Sequence, residues 1–403
     1  MQQFQAIILG TDKNAYSMAK SFHEAYNVKP LALGMKRLYP TRYSRIVNVR
    51  VFENFDQQEI FMAKIIDVAE ELRLQYEKLI LISCGDNYTE LIAKNREELK
   101  NYFIVPYIDY NLHQKLENKD NFYQICEQYN LDYPKTYVCR LENKDNFRVD
   151  FSFPVAVKAA DSIEYLRLQF SGKKKAYRID NENELKDVIK KIYDAGYKGN
   201  VIIQDFIPGD DAASFVLNTY SDQNGKVKMM CLGDVILEHC GPYEIGNYAA
   251  IISSSNRALY EKFQQFLEKI NFIGFAHFDL KYDYRDKSYK LFEINLRQGR
   301  SYYVTGSGNN MAKLVVEEYI EKKDAAITYN ENEWLWLDIP KKVLFQYMNS
   351  RYLEKVKKLI KQNKYGYTLW YKKDFWPWRL LLVWKLHSIN FKMFKMYFEK
   401  KDI

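Results

Sequence analysis

Residues 275–308 read FAHFDLKYDYRDKSYKLFEINLRQGRSYYVTGSG. Apolar and polar residues alternate around Asp279 and again around Phe292, which is typical of two half-buried strands. The short polar connection at residues 284–287 predicts that the two strands form a hairpin.

Three oxygen-bearing side chains fall on the predicted hairpin. Glu293 and Asn295 are two residues apart and therefore project to the same face, while Asp279 lies near one strand end. Two carboxylates and an amide oxygen form a hard-oxygen site of the kind that Mg²⁺ prefers together with nucleotide phosphates. Arg297 lies two residues further on the same side, where it could meet a phosphate or an oxyanion. The alternative is a solvated hairpin with ordinary surface acids.

The amino-acid composition restricts which kinds of protein this chain can be. The 403 residues suffice for two or three domains, and the hydrophobic content of 47% indicates a globular chain. A formal net charge of +8 favours an anionic partner: a nucleotide, a phosphorylated metabolite, nucleic acid or an acidic membrane. Five scattered cysteines without a CxxC pair predict free thiols in a reducing cytosol. We expect neither a signal peptide nor an apolar run of the ~20 residues that span a bilayer.

The first residues predict a β-α-β unit with a parallel sheet. Apolar runs at residues 6–9 and 31–33 flank a helical pattern at residues 14–26. A further strand at residues 78–83 is followed by a helix predicted to reach Leu99. Ligands bind at the carboxyl ends of such strands, so the loops at residues 10–12 and 85–87 are candidate ligand contacts. Plain connecting turns remain the alternative for each loop.

Several lysines lie where they could meet phosphate. Lys119 begins a helical pattern, and Lys158 continues the apolar strand FPVAVK of residues 153–158. A buried cation needs an opposite charge, which a ligand phosphate would supply, although a lysine that reaches solvent at a strand end is the alternative. The SGKKK loop at residues 171–175 could fold over a polyphosphate or be a solvated turn.

Residues 201–211, VIIQDFIPGDD, indicate a buried strand that leads into an extended turn. Pro208 favours extended geometry at Ile207, whose backbone is then free to pair with a flat heterocycle. Asp211 is placed to accept hydrogen bonds from ribose hydroxyls. His277 shares a face with Asp279, where a structural role is favoured over contact with substrate.

The order of these features resembles the ATP-grasp superfamily of carboxylate–amine ligases, over roughly residues 1–320. The phrases SFHEAY, LALG, CGDNYTELIAKNREEL and INLRQGRSYY are most similar to the bacterial D-aspartate ligase group. The resemblance implies an α/β (α+β) ATP-grasp fold preceded by a small Rossmann-like α/β domain. The predicted domains are residues 1–110, residues 111–325 with a lid at about 150–205, and a helical basic tail at 326–403.

The resemblance also implies roles for individual residues. Lys119 and Lys158 would hold ATP phosphates, Gln204 and the Ile207 backbone would read adenine, and Asp211 would bind ribose. Asp279, Glu293 and Asn295 would bind Mg²⁺, and Arg297 would stabilise the transferred phosphate and the tetrahedral intermediate. Arg300 and Ser301 are candidates for holding the carboxylate of the amino-acid substrate. The superfamily often has Glu where this chain has Gln204 and Asp211.

The implied activity is ATP-dependent activation of aspartate, in its D form, as an acyl phosphate. The acyl group would then be joined to the lysine side-chain amine of a peptidoglycan precursor, UDP-MurNAc-pentapeptide. ATP and Mg²⁺ are the implied cofactors, the partners are small amino-acid and UDP-linked muropeptide substrates and no nucleic acid, and the location is cytoplasmic. Two alternatives remain: an ATP-grasp ligase for a different acid or amine, and a basic membrane- or polyanion-binding protein without catalysis.

The tail after residue 325 has its own pattern. A helical face can be drawn from Trp376 through Leu380, Val383, Trp384, Phe391, Phe394 and Phe398, with basic residues interleaved. Such a helix could lie on the inner face of an anionic membrane, or it could pack its aromatic face on the main body. The second arrangement is favoured.

Overall fold

Three β-sheets follow one another along the chain. A computed structural model describes residues 2–160, 162–241, 244, 246–300 and 302–400. The first sheet lies in the N-terminal segment, the second in the middle of the chain, and the third is a long central sheet that carries the hairpin of residues 275–295. The mixed α/β architecture agrees with the prediction.

The N-terminal domain is a parallel sheet with helices around it. Its elements are β1 (Gln2–Leu9), α1 (Lys13–Tyr26), β2 (Leu31–Gly34), β3 (Asn48–Val51), α2 (Gln58–Arg73), β4 (Tyr76–Ser83), α3 (Asp86–Lys94) and α4 (Arg96–Leu99). The strand order is β3-β2-β1-β4, so the predicted β-α-β unit is confirmed. Helix α1 begins at Asp12, whose side chain accepts a hydrogen bond of 3.1 Å from the Ala15 N–H. The single helix predicted up to Leu99 is wrong, because the chain breaks at Asn95 into two helices.

The second sheet has four antiparallel strands and lies in the part of the chain that was predicted to contain a lid. Its segment contains α5 (Tyr110–Glu117), α6 (Lys119–Gln128), β5 (Thr136–Cys139), β6 (Val155–Ala159), α7 (Ser162–Arg167), β7 (Ala176–Ile179), α8 (Glu182–Asp194) and β8 (Val201–Asp205). The strand order is β5-β8-β6-β7. Strand β5 of this sheet precedes the range of about 150–205 that was predicted for the lid, and the lid itself stays a prediction.

The central sheet is built mainly from long antiparallel strands. The segment contains β9 (Ser214–Ser221), β10 (Val227–Glu238), β11 (Tyr248–Ser254), α9 (Arg257–Lys269), β12 (Gly274–Asp283), β13 (Ser288–Asn295), α10 (Tyr303–Gly306) and α11 (Met311–Tyr319). Strands β12 and β13 form the predicted hairpin. Helices α9 and α11 bury apolar faces that include Phe263, Phe266, Val315 and Val316.

The C-terminal segment completes the central sheet. It contains β14 (Thr328–Tyr329), β15 (Leu335–Leu337), α12 (Lys341–Tyr347), α13 (Leu353–Lys361), β16 (Tyr365–Tyr367) and α14 (Pro377–Tyr397). The sheet order is β13-β12-β9-β10-β11-β15-β16, with β14 beside β10. The segment thus supplies strands as well as helices to the body. The predicted domain boundary at residue 325 stays a prediction.

A buried ion pair fastens the C-terminal segment to the N-terminal domain. The Asp374 carboxylate accepts hydrogen bonds from the Tyr16 hydroxyl at 2.8 Å, the Ser44 hydroxyl at 2.9 Å and the Arg45 N–H at 2.6 Å. The Arg379 Nε lies 3.3 Å from an Asp374 oxygen, and the Arg379 side chain is 0% exposed. A charge buried this far from water persists only with such partners.

Helix α14 packs one side on the body and leaves the other in solvent. Val383 and Phe394 are buried, whereas Trp384 is 66% exposed and Phe391 is 38% exposed. The predicted apolar face is therefore only partly buried, because the contact with the body is narrower than the apolar arc. None of the helices in the described part of the chain is both long enough and apolar enough to cross a bilayer.

We expect Asp374→Ala to lower the free energy of unfolding by about 3–5 kcal/mol, because Arg379 is left buried without its counter-charge. Urea denaturation followed by tryptophan fluorescence measures the change. Glu354→Gln is the control: it breaks the exposed Glu354–Lys357 pair and should change the free energy by less than about 0.5 kcal/mol. Equal effects of the two substitutions would contradict the fastening role.

Candidate active site

The β12–β13 hairpin places the predicted metal ligands side by side. Asp279 lies directly opposite Glu293 in the antiparallel register, and His277 lies opposite Asn295. The Asn295 Nδ2 donates to the Asp279 Oδ2 at 3.0 Å. Opposed residues have their Cβ atoms about 5 Å apart, so both carboxylates border the same small volume.

Three donors orient the Asp279 carboxylate. Besides Asn295, the Tyr248 hydroxyl donates to Oδ1, and the His277 Nε2 lies 3.2 Å from the same oxygen. Burial raises the pKa of a carboxyl group, but the charge and hydrogen bond of His277, together with the Tyr248 hydroxyl, lower the pKa of Asp279 to about 2. Asp279 is therefore ionised at neutral pH although it is mostly out of water.

His277 is held as firmly as the carboxylate that it contacts. Its Nδ1 lies 3.2 Å from the Asn218 Oδ1, which also accepts a hydrogen bond of 3.0 Å from the Gly299 N–H. A Cβ atom at Gly299 would collide with the imidazole ring, so only glycine lets the chain pass this closely after β13. His277 is a buried structural residue, as the sequence favoured.

Two lysines from other elements face the acids. The Lys119 Nζ, at the start of α6, lies 3.4 Å from the Glu293 Oε2. The Lys158 Nζ on β6 lies 5.7 Å from the centre of the Phe292 ring. Among the residues that the structure describes, no carboxylate lies within ion-pairing distance of Lys158.

The electrostatic surroundings of Lys158 place it beside the acids. Burial and then the nearby Lys119 charge lower the pKa of Lys158 to about 8, while Glu293 and Asp279 act in the opposite direction. The ammonium group is thus a largely buried cation without an ion-pair partner, next to two carboxylates and a second lysine. An added phosphate would supply the missing charge.

The residues predicted to contact the nucleotide lie at the end of β8 and just after it. The Gln204 Nε2 donates to the Tyr123 hydroxyl and the Thr136 Oγ1, both at 2.9 Å. Both of its N–H groups are therefore used, and only the carbonyl oxygen is left for a ligand. Ile207 is buried after the strand ends, and the Asp211 Oδ2 accepts a hydrogen bond of 2.9 Å from the Glu238 N–H.

A separate cleft of about 410 Å³ lies beside the turn after β8, and its lining consists of Pro154, Arg178, Phe206, Pro208, Gly209 and Arg285. None of the predicted phosphate or metal ligands lines it. The chemistry that two carboxylates and two lysines can support lies instead at the hairpin.

Arg297 joins the hairpin to the N-terminal domain. Its Nε lies 2.8 Å from the Asp86 Oδ1, and its second terminal nitrogen lies 3.0 Å from the Asp86 Oδ2 and 3.3 Å from the Asn295 Oδ1. Burial alone would lower the pKa of Arg297, but Asp86 raises it above the ordinary value. Arg300 is exposed, and Ser301 lies outside the described residues.

Sequence reasoning missed three residues of the site. Tyr248 begins a strand without any signal that it reaches Asp279, and Phe292 is one apolar residue among many. Asp86 lies in one of the two loops that were predicted to contact ligand, but its pairing with Arg297 was not foreseen. Each of these contacts joins elements that are distant in sequence.

Comparison with known proteins decides the family. No family model matches the chain. The chain is 45% identical over 413 residues to a D-aspartate ligase of Enterococcus faecium (strain Aus0004), covering 100% of this chain and 98% of the relative. This chain belongs to the D-aspartate ligase family. The protein is therefore an ATP-dependent carboxylate–amine ligase that forms an amide bond, as predicted.

Solved structures share the fold at low identity. An L-amino acid ligase from Bacillus licheniformis has a TM-score of 0.52 and 17% identity, covering 79% of this chain and 71% of the other. An N5-carboxyaminoimidazole synthetase from Staphylococcus aureus complexed with ADP has a TM-score of 0.58 and 13% identity, covering 83% and 82%. These neighbours confirm the ATP-grasp fold. The roles of the individual site residues in this ligase remain predictions.

We expect Asp86→Asn to lower kcat/KM for the amino acid by about 10- to 100-fold, because Arg297 loses the carboxylate that orients it. A coupled assay of ADP release measures the change, and Asp86→Glu should restore part of the activity. Asp67→Asn, which alters an exposed acid on α2, is the control and should have no effect. An unchanged kcat/KM in Asp86→Asn would show that Arg297 is positioned without Asp86.

Proposed function

We propose that this ligase activates the carboxylate of D-aspartate with ATP. We propose further that it joins the acyl group to the lysine side-chain amine of a UDP-linked muropeptide, UDP-MurNAc-pentapeptide. The 45% identity to a D-aspartate ligase over the whole chain supports the donor. The observation that carries the chemistry is the opposed pair of Asp279 and Glu293, with Lys119 at 3.4 Å from Glu293 and Lys158 nearby.

The donor set at the hairpin fits Mg²⁺ in company with a nucleotide. Asp279 and Glu293 offer carboxylate oxygens and Asn295 an amide oxygen. Within the described ranges, no group of three or more His, Cys, Asp or Glu side chains is arranged to hold a metal ion. The protein alone thus does not supply a full set of ligands. These three residues would hold Mg²⁺ together with phosphate oxygens and water, which complete its shell as is usual for this ion. When bound, Mg²⁺ neutralises charge on the phosphates.

Other residues would hold the nucleotide itself. Lys119 and Lys158 would contact the phosphates, and Lys158 would gain the negative partner that it lacks. The Gln204 carbonyl oxygen could accept from the adenine amino group beside the Ile207 backbone. Asp211, whose Oδ2 accepts from the Glu238 N–H, would accept from the ribose hydroxyls.

The proposed reaction needs positioning and charge neutralisation more than a nucleophilic side chain. A carboxylate oxygen of the amino acid attacks the γ-phosphorus of ATP, the bond to the β-phosphate oxygen breaks, and ADP leaves with the electron pair. The amine then attacks the acyl carbon, and the phosphate leaves as the amine loses a proton. Arg297 would stabilise the transferred phosphate and the oxyanion. Arg300 and Ser301 would hold the other carboxylate of the amino acid.

We propose that the ligase works in the cytoplasm. Its five cysteines are all free and buried, which suits a reducing compartment.

Lys158 gives ATP binding a defined pH dependence. The free enzyme loses the Lys158 proton as the pH rises through about 8, and phosphate favours the protonated form. We therefore expect the affinity for ATP to be constant below this pKa and to fall about tenfold per pH unit above it. Isothermal titration calorimetry across this range measures the dissociation constant. Lys158→Arg keeps its charge and should show no such fall, whereas a level profile in the native enzyme would contradict the assignment.

Product analysis tests the reaction. We expect incubation with ATP, Mg²⁺, D-aspartate and UDP-MurNAc-pentapeptide to give the amide product by mass spectrometry, with ADP released. Chelation of Mg²⁺ with EDTA should abolish the product, and added Mg²⁺ should restore it. Asp279→Asn and Glu293→Gln should lower kcat by at least about 100-fold. Asp286→Asn, an exposed acid in the turn of the same hairpin, should leave kcat unchanged.

The same experiment separates the alternatives. A panel of D- and L-amino acids and of amines identifies a different substrate if D-aspartate gives no product. If Asp286→Asn lost as much activity as Asp279→Asn, the activity would not depend specifically on the opposed pair of Asp279 and Glu293. Release of ADP without any amide product would exclude the ligase reaction with these substrates.

A further inference from the structure

Exposed aromatic and apolar side chains gather where α14 meets the loop of residues 35–45. On the loop they are Leu38 at 45%, Tyr39 at 53% and Tyr43 at 50% exposed, and on the helix they are Trp378 at 61%, Leu381 at 58% and Trp384 at 66% exposed. We call the exposed side chains of these two segments the basic-aromatic surface. Large apolar side chains clustered in solvent mark an interaction surface more often than scattered ones do.

The two segments are fastened to each other although they are far apart in sequence. A terminal nitrogen of Arg379 donates to the carbonyls of Tyr39 at 3.4 Å and Arg42 at 3.0 Å. The Trp376 Nε1 donates to the Tyr43 carbonyl at 2.6 Å, and the Arg45 guanidinium lies 4.7 Å from the centre of the Trp376 ring. The surface is therefore built on a fixed junction.

On α14 the exposed residues form one stripe. Relative to Trp378, Leu381, Lys385, Lys392 and Met396 follow at 3, 7, 14 and 18 residues, which at 3.6 residues per turn keeps all five within about 60°. All five are exposed. Two lysines thus lie between apolar side chains along the solvent side of the helix, opposite the side that packs on the body.

The charge of the surface is of one sign. Residues 35–45 and 377–397 contain eight Lys and Arg residues and no Asp or Glu. Arg379 alone among the eight is fully buried, in its pair with Asp374. A second copy of the chain would bring like charges together in a symmetric contact, which disfavours self-association.

We propose that the basic-aromatic surface docks on an anionic lipid bilayer. Tryptophan and tyrosine favour the headgroup region because one part of each ring system is apolar and another is polar. Lysine and arginine pair with the anionic headgroups, and each contributes a factor of about five to the partition coefficient. This proposal is independent of the amino acid and amine that the ligase joins.

Sedimentation with vesicles tests the proposal on the full-length chain. We expect binding to vesicles of phosphatidylglycerol and phosphatidylcholine and little binding to phosphatidylcholine alone. Lys385→Glu/Lys392→Glu/Lys395→Glu should lower the partition coefficient by about 100-fold or more. Lys190→Glu/Lys191→Glu/Lys198→Glu, on exposed positions of the predicted lid, gives the same net charge and should bind as the native chain does. Point substitutions are preferable to truncation, because α14 carries core residues.

Further measurements test whether the basic-aromatic surface is what binds the bilayer. Reduced binding of Trp378→Ser/Trp384→Ser with all lysines intact would support insertion of the aromatic rings. Equal binding of the two lysine variants, or equal binding to neutral and anionic vesicles, would overturn the proposal. Self-association in analytical ultracentrifugation that the α14 lysine variant abolishes, without any lipid binding, would overturn it in favour of a second copy. ADP release with soluble substrates should be the same in both lysine variants and the native chain.

Discussion

The ionised state of Asp279, held in a mostly buried position, is the constraint on which the site depends. Removing a carboxylate from water disfavours its charge, so the surrounding residues must compensate. Tyr248 and Asn295 do so from two other strands, each of which must be in its observed register, and His277 does so from the same strand as Asp279. Asn218 and the Gly299 backbone fix the imidazole in turn. The fold around the hairpin is therefore also the electrostatic support of the site.

Lys158 differs from Asp279, because the surrounding residues do not compensate for the burial of its charge. Lys158 is largely out of water and has no ion-pair partner among the residues that the structure describes, and burial lowers its pKa. A bound polyphosphate would offset this cost, because it would place negative charge beside the buried ammonium group. The arrangement of opposite charges on facing elements suits a substrate that brings both metal ions and phosphate.

The sequence predicted what depends on local pattern. Alternation around Asp279 and Glu293 gave the hairpin, and a two-residue spacing placed Asn295 beside them, because strand side chains repeat every two residues. The contacts of Tyr248 with Asp279 and of Arg297 with Asp86 span 31 and 211 residues. No local pattern encodes which distant strands will meet. The buried fraction of the apolar face of α14 could not be predicted for a related reason, since the arc that a helix buries depends on the width of the surface that it meets.

The central sheet has one consequence for how the molecule is made. Strand β15, near the end of the chain, pairs with β11, which carries Tyr248, and Tyr16 reaches Asp374 across 358 residues. Contacts of such long sequence separation close large loops, and they form more slowly than local contacts do. Every proposed ligand of ATP and metal precedes β15 in the chain, but the sheet that carries Tyr248 is complete only after β15 has joined it. Closure of these long loops is therefore expected to limit the rate at which the complete sheet forms.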